Sequence, residues 1–257
     1  MTSLSLVSFF CAHVLGDFYF QSEKLAQKKA QSFNYTMLHI AIYSAVMIVV
    51  GVALMILGYH LSWLVWVLIL VSHGLIDSLK WILTNRPYVK PKFDKWLYLG
   101  DQLLHLLLIS IGNAYVTGSL SLDKELAVDV LFLSKCLLLS LVIFKPANLT
   151  FKLVFEKYQY EVKERPLETQ PEIKLATTVA GAGAAIGNLE RLIMAIFLLL
   201  NQYGAIGLIL TAKSITRYNK IATSPAFSEY YLIGTLYSLL ATLLPYLVIF
   251  QPIITNG

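Results

Sequence analysis

Charge is scarce in this chain: 14% of its 257 residues are Asp, Glu, Lys or Arg, against 57% that are hydrophobic. A soluble domain carries about 25% charged residues, so this deficit excludes an ordinary water-soluble globule. Cysteine is scarcer still. Cys11 and Cys136 both lie inside apolar runs and can build neither a disulfide framework nor a cysteine-rich zinc site. The first ten residues have no basic cluster, and the apolar run continues into polar residues, so the first span is expected to be retained rather than cleaved as a signal peptide. Short repeats, heptads and low-complexity tracts are absent. So are nucleic-acid-binding motifs: the net charge of +5 is not gathered into a stripe but spread over short loops, and no nucleic-acid partner is expected.

What is there is a succession of apolar stretches, at about residues 3–20, 36–58, 61–84, 97–118, 127–144, 176–200, 203–217 and 229–250. At about 20 residues per span, they predict an all-α, polytopic membrane bundle of about eight transmembrane helices, the seventh short enough to be re-entrant. Residues 22–35 carry Lys24, Lys28 and Lys29 against Glu23, a net of +2, and residues 84–96 carry Arg86, Lys90, Lys92 and Lys95 against Asp94, a net of +3. Residues 58–62 carry no charge of this kind, and residues 119–126 carry Asp123, Lys124 and Glu125. Basic loops alternate with the others, which places the basic ones in the cytoplasm and both termini in the periplasm. The polar stretch 145–175, with Pro146, Pro166 and Pro171, divides the chain into an N-terminal bundle (1–145), a cytoplasmic linker (146–175) and C-terminal helices (176–257). Within it, Leu149 to Tyr160 reads either as an amphipathic helix on the membrane surface or as a solvated linker helix.

Ionisable residues inside a span are costly and mark function by default. Here they are concentrated. The first span ends His13-x-x-x-Asp17-x-x-x-Gln21, a spacing that would set three side chains on one helical face. The second span opens with His39, the third contains His73-x-x-x-Asp77 and Lys80, and the fourth opens with Asp101-x-x-x-His105. Spans one and three run toward the cytoplasm and carry these residues late, whereas two and four run away and carry them early, so all four sets fall at one depth. Imidazole and carboxylate are ligands for zinc, manganese or iron. His13, Asp17, His39, His73, Asp77, Asp101 and His105, with Gln21, exceed what one closed structural zinc needs and suffice for one or two divalent ions. A hydrogen-bonded polar network without metal is the alternative.

Three segments resemble a known family: AHVLGDFYFQSEK (12–24), SHGLIDSLK (72–80) and DQLLH (101–105). They are similar to the bacterial membrane-protein family known as domain of unknown function 3307, with its patterns His-x-x-Gly-Asp-Phe-x-x-Gln, His-x-x-x-Asp-x-x-Lys and Asp-Gln-x-x-His. In the first motif His13 is followed by Val14, Leu15 and then Gly16-Asp17-Phe18, with Gln21 in place. The resemblance covers about the first 120 residues and implies bacterial origin and the inner membrane, without an established activity.

In the C-terminal half, GAGAAIG (181–187) favours close helix packing. Lys213 and Arg217 act as interface anchors or as a cationic pocket for a lipid phosphate. Lys135, in the middle of an apolar run, has no evident role. The expected function is a membrane-embedded, metal-dependent hydrolase cleaving a phosphoester or related bond of a lipid-linked substrate at the cytoplasmic leaflet. Metal-activated water would be the nucleophile, and Lys80 and Arg217 would offset phosphate charge. The alternatives are a metal-dependent sensor or transporter, or a non-catalytic scaffold. The near absence of ligands in the outer halves of the spans, as in Leu106–Ser110, disfavours transport.

Overall fold

Five helical stretches are long and apolar enough to cross a membrane: Phe33–Ile56, Trp63–Thr84, Glu125–Val154, Ala182–Leu199 and Pro225–Phe250. A sixth is added if the bent pair Leu4–Tyr19 and Glu23–Lys29 counts as one span. The protein is an all-α membrane bundle, and the computed structural model describes residues 3–85, 94–118, 124–158 and 181–250. Arg86, Lys90, Lys92 and Asp123, which supported the loop alternation, lie outside the described residues. Large side chains such as Ile56, Leu208 and Val248 are more than two-thirds exposed, which suits contact with lipid rather than water.

The chain divides into two compact units, residues 1–146 with 248–257, and residues 147–247. In the first, α1 (Leu4–Val14) begins at Ser3, whose hydroxyl accepts from the Leu6 N–H, and runs into a π-helical turn, Leu15–Tyr19. There the Phe20 N–H donates to the Leu15 carbonyl, five residues back, at 2.8 Å. The chain then bends by 81° into α2 (Glu23–Gln31). The carbonyl of Phe18 at this break accepts from Lys145 Nζ at 2.8 Å. Next come α3 (Phe33–Ile56), the short α4 (Trp63–Trp66), a second π-helical turn (Val67–Val71), α5 (Ser72–Thr84), α6 (Asp94–Asn113) and α7 (Lys124–Ile143).

Two three-residue strands, unforeseen in a helical chain, pair antiparallel: β1 (Tyr59–Leu61) and β2 (Val116–Gly118), with His60 opposite Thr117. They join the α3–α4 connection to the residues that follow α6. Gly118 is required here: its φ is +87°, and a Cβ would stand 2.5 Å from the Gly58 carbonyl oxygen.

The buried face of α3 reads Thr36, His39, Tyr43, Met47, Gly51, Leu54, at the three- and four-residue spacing of a single helical side. Its polar half comes first. Its apolar half packs with Phe9, Ala12, Val65, Ile69 and Ile109 into a core. Gly51 admits the Trp66 ring, to which a Cβ would come within 2.3 Å. The apolar core therefore fills the side of the bundle toward the ribbon, and the polar residues gather at the other end.

The second unit holds most of α8 (Lys145–Val154), then α9 (Ala182–Leu199), α10 (Tyr203–Thr216), α11 (Tyr218–Thr223) and all but the last three residues of α12 (Pro225–Phe250). The segment read as either a membrane-surface or a solvated linker helix packs against α12: Phe151 lies 5.1 Å from the Tyr237 ring, and Tyr237 donates to the Ala147 carbonyl at 2.7 Å. Its last residues, Gln159 and Tyr160, lie outside the described residues. The glycines of GAGAAIG do not serve close helix packing among the described residues: Gly183 faces open space, and the room beside Gly187 is taken by Arg191 of the same helix. Arg191 is buried and donates to Asn148 at 2.6 Å and Asn188 at 2.8 Å. Lys213 is no free cation; it pairs with Glu190 at 2.8 Å and donates to Thr235. At 14 residues, α10 is about 21 Å long, short of the roughly 30 Å hydrocarbon core. Lys135 lies over the Phe250 ring, 5.9 Å from its centre, a cation–π partner that an apolar run conceals.

Candidate metal centre

Four helices bring His13 and Asp17, His39, His73 and Asp77, and Asp101 and His105 into one cluster. All four histidines, Asp77 and Asp101 are buried, and the Asp17 side chain is 8% exposed. Asp17 stands at the centre. Its Oδ1 lies 3.4 Å from His39 Nε2 and 3.8 Å from His73 Nε2, and its Oδ2 lies 3.9 Å from both His13 Nδ1 and His105 Nδ1. Asp77 Oδ2 is 3.3 Å from His39 Nε2 and 3.7 Å from His73 Nε2. Asp101 Oδ1 is 3.9 Å from His105 Nδ1. Three combinations, His13–Asp17–His105, Asp17–His39–His73 and His73–Asp77–His105, each present ligand atoms within 4.8 Å of one another.

The π-helical turns belong to the helices that carry these residues. Asp17 lies within one, and His73 follows two residues after the other. Such turns widen the helix and re-aim the side chains around them. The first turn and the bend after it also change the pattern read from sequence: Gln21 falls in the break between Tyr19 and α2, so the helical face shared by His13 and Asp17 ends before reaching it. Among the described residues, no contact ties Gln21 to the cluster.

Three further residues complete the site. Tyr43, one turn after His39, stacks on His73 with ring centres 3.4 Å apart, and its hydroxyl is 3.3 Å from His13 Nδ1. Gln102 donates to Asp17 Oδ2 at 3.2 Å and Asp101 Oδ2 at 3.3 Å, which turns its Oε1 toward His13 Nε2 at 3.3 Å. An amide oxygen only accepts, so His13 carries its proton on Nε2 and its lone pair on Nδ1. Lys29 reaches from α2 to Asp77 Oδ2 at 2.6 Å. Lys80, expected beside the site, pairs with Asp101 Oδ2 at 2.7 Å. Arg217, the other expected cation, ends α10 in the second unit. The sequence did contain signals for the first two: His39-x-x-x-Tyr43 repeats the one-turn spacing of His73 and Asp77, and Gln102 sits inside DQLLH.

Despite these contacts the cluster is under-satisfied. Of the eight buried side-chain nitrogen and oxygen atoms without a hydrogen-bond partner among the described residues, seven are here: Asp17 Oδ1, His39 Nδ1, both ring nitrogens of His73 and of His105, and Asp101 Oδ1. A buried polar group with no partner costs about 1–3 kcal/mol, and among these atoms the carboxylate oxygens and one lone-pair nitrogen of each imidazole are what an ion would engage.

The family model described as Protein of unknown function (DUF3307) matches residues 5–133, about half the chain and every residue of the cluster. The chain belongs to that family. No curated protein and no solved structure matches it.

Proposed function

We propose that the protein is a metal-dependent hydrolase embedded in the bacterial inner membrane. It would cleave a phosphoester or related bond of a lipid-linked substrate at the cytoplasmic leaflet, with both termini periplasmic. The observation that carries this reading is the set of seven unpartnered buried donor and acceptor atoms. A polar network built only for structure would pair them, whereas a divalent ion would take four of them directly, Asp17 Oδ1, Asp101 Oδ1 and one nitrogen each of His73 and His105. Asp17, His39, His73, Asp77, Asp101 and His105 are the ligands. His13, with both ring nitrogens engaged, orients Asp17 through Gln102. A metal at this site would activate water and clamp the oxygens of a displacement, and Lys80, part-exposed beside Asp101, would neutralise phosphate charge.

The apolar core of Phe9, Met47, Val65, Ile69 and Ile109 behind the cluster argues against a transporter, because an ion would have no ligands along that path. A metal-dependent sensor would bind the same ion without turnover. The test is elemental analysis of the full chain purified in detergent, beside a His73→Ala/Asp77→Ala variant. We expect at least one zinc, manganese or iron ion per chain and its loss in the variant. A metal-free wild type that still folds supports the scaffold. Chelator-sensitive phosphate release from a lipid-linked phosphoester separates hydrolase from sensor.

A further inference from the structure

Asp17 presents its two carboxylate oxygens to two different sets of side chains. Oδ1 faces His39 and His73, which also face Asp77 Oδ2, and the four separations are 3.4, 3.8, 3.3 and 3.7 Å. A tetrahedral ion with ligand bonds of about 2.0–2.1 Å holds its ligand atoms about 3.3–3.4 Å apart, so these four separations are near those of an ion site, and Asp17, His39 and His73 present ligand atoms all within 4.8 Å of one another. Oδ2 faces His105, which also faces Asp101 Oδ1, both at 3.9 Å; His13 Nδ1 stands at the same distance from Oδ2. The second set is looser by a few tenths of an ångström.

Resting on the metal reading above, we propose that Asp17 is the bridging carboxylate of a two-ion centre. One position is held by Asp17 Oδ1, His39, His73 and Asp77, and the other by Asp17 Oδ2, His105 and Asp101. A bridging carboxylate suits ions about 3.5–4 Å apart, the spacing of two-metal hydrolytic sites. Each outer carboxylate is paired with a lysine, but on different oxygens: Lys80 binds Asp101 Oδ2, away from His105, whereas Lys29 binds Asp77 Oδ2, the oxygen that also faces His39 and His73. Asp101 shows the division most clearly, since Oδ2 accepts from Lys80 and Gln102 while Oδ1, turned to His105, has no hydrogen-bond partner.

Charge then narrows the substrate. Asp17, Asp77 and Asp101 against Lys29 and Lys80 leave one negative charge, and two divalent ions convert this to three positive. In a low-dielectric site that excess calls for anions. One hydroxide and one terminal phosphate dianion restore neutrality, whereas a phosphodiester, with a single charge, does not. The favoured substrate class is therefore a phosphate monoester or a terminal diphosphate.

The full chain, purified in detergent and loaded with Mn²⁺ alone, tests the centre by elemental analysis and electron paramagnetic resonance. The expected wild type holds two ions per chain with the multiline spectrum of an exchange-coupled pair. Asp77→Asn and Asp101→Asn each retain one ion with the six-line spectrum of isolated Mn²⁺, and Asp17→Asn loses the coupling. A wild type with one uncoupled ion overturns the two-ion centre and leaves the metal reading standing; one with none overturns both. Coupling that survives in Asp17→Asn overturns the bridge, and because the wild-type spectrum is itself decisive, misfolding of a variant does not shelter the proposal.

Discussion

A methyl group on Gly16 would stand 2.8 Å from Cδ2 of Tyr43 and 3.5 Å from its Cα. Tyr43 cannot retreat cheaply, because it is stacked on His73 and bonded to His13. Gly16→Ala is therefore expected to destabilise the protein by about 1–3 kcal/mol, the usual range for overpacking, and thermal unfolding in detergent measures it. An unchanged midpoint would show that the ring yields. At this scale much of the site was legible. A charge or imidazole in an apolar run has few explanations other than function, and the one-turn pairs placed His13 with Asp17, His73 with Asp77 and Asp101 with His105. Lys29 was not legible as a partner of Asp77. Its helix reads as one of several basic loops, and a long side chain reaching across 48 positions of sequence leaves no local pattern.

Helix breaks decided more than helix positions did. Periodicity extends the first helix through Gln21, but the π-helical turn and the 81° bend remove Gln21 from the shared face, since a five-residue hydrogen bond spoils the 3.6-residue repeat on which that reading depends. The ribbon was equally hidden, because three-residue strands are too short for an alternating pattern to register. Its pairing is testable: with Cys11 and Cys136 replaced by Ser, a His60→Cys/Thr117→Cys variant should form a disulfide under mild oxidation. These two residues are direct Cα partners, and opposed antiparallel residues lie about 4.5–5.5 Å apart, within disulfide range. A pair that stays reduced while His60→Cys crosslinks instead to a cysteine at Val116 would show the register shifted.

For the molecule as a whole, the alternation of basic loops predicts sidedness. In the same Cys11→Ser/Cys136→Ser background, Lys28→Cys on α2 should resist a membrane-impermeant maleimide applied to intact cells, and His60→Cys on the ribbon should react. The reverse result means that the chain is inserted the other way up, with the cluster in the outer leaflet. Apolar length and the cost of buried charge are properties of composition and spacing alone, and they suffice to show a helical membrane chain and to single out seven His and Asp residues as a set. How those seven are used follows from the packing of helices against one another. That Asp17 lies between two groups of histidines, that Gln102 and Tyr43 engage both nitrogens of His13, and that Lys29 and Lys80 back separate carboxylates all depend on distances between helices far apart in the chain, and no local period records those.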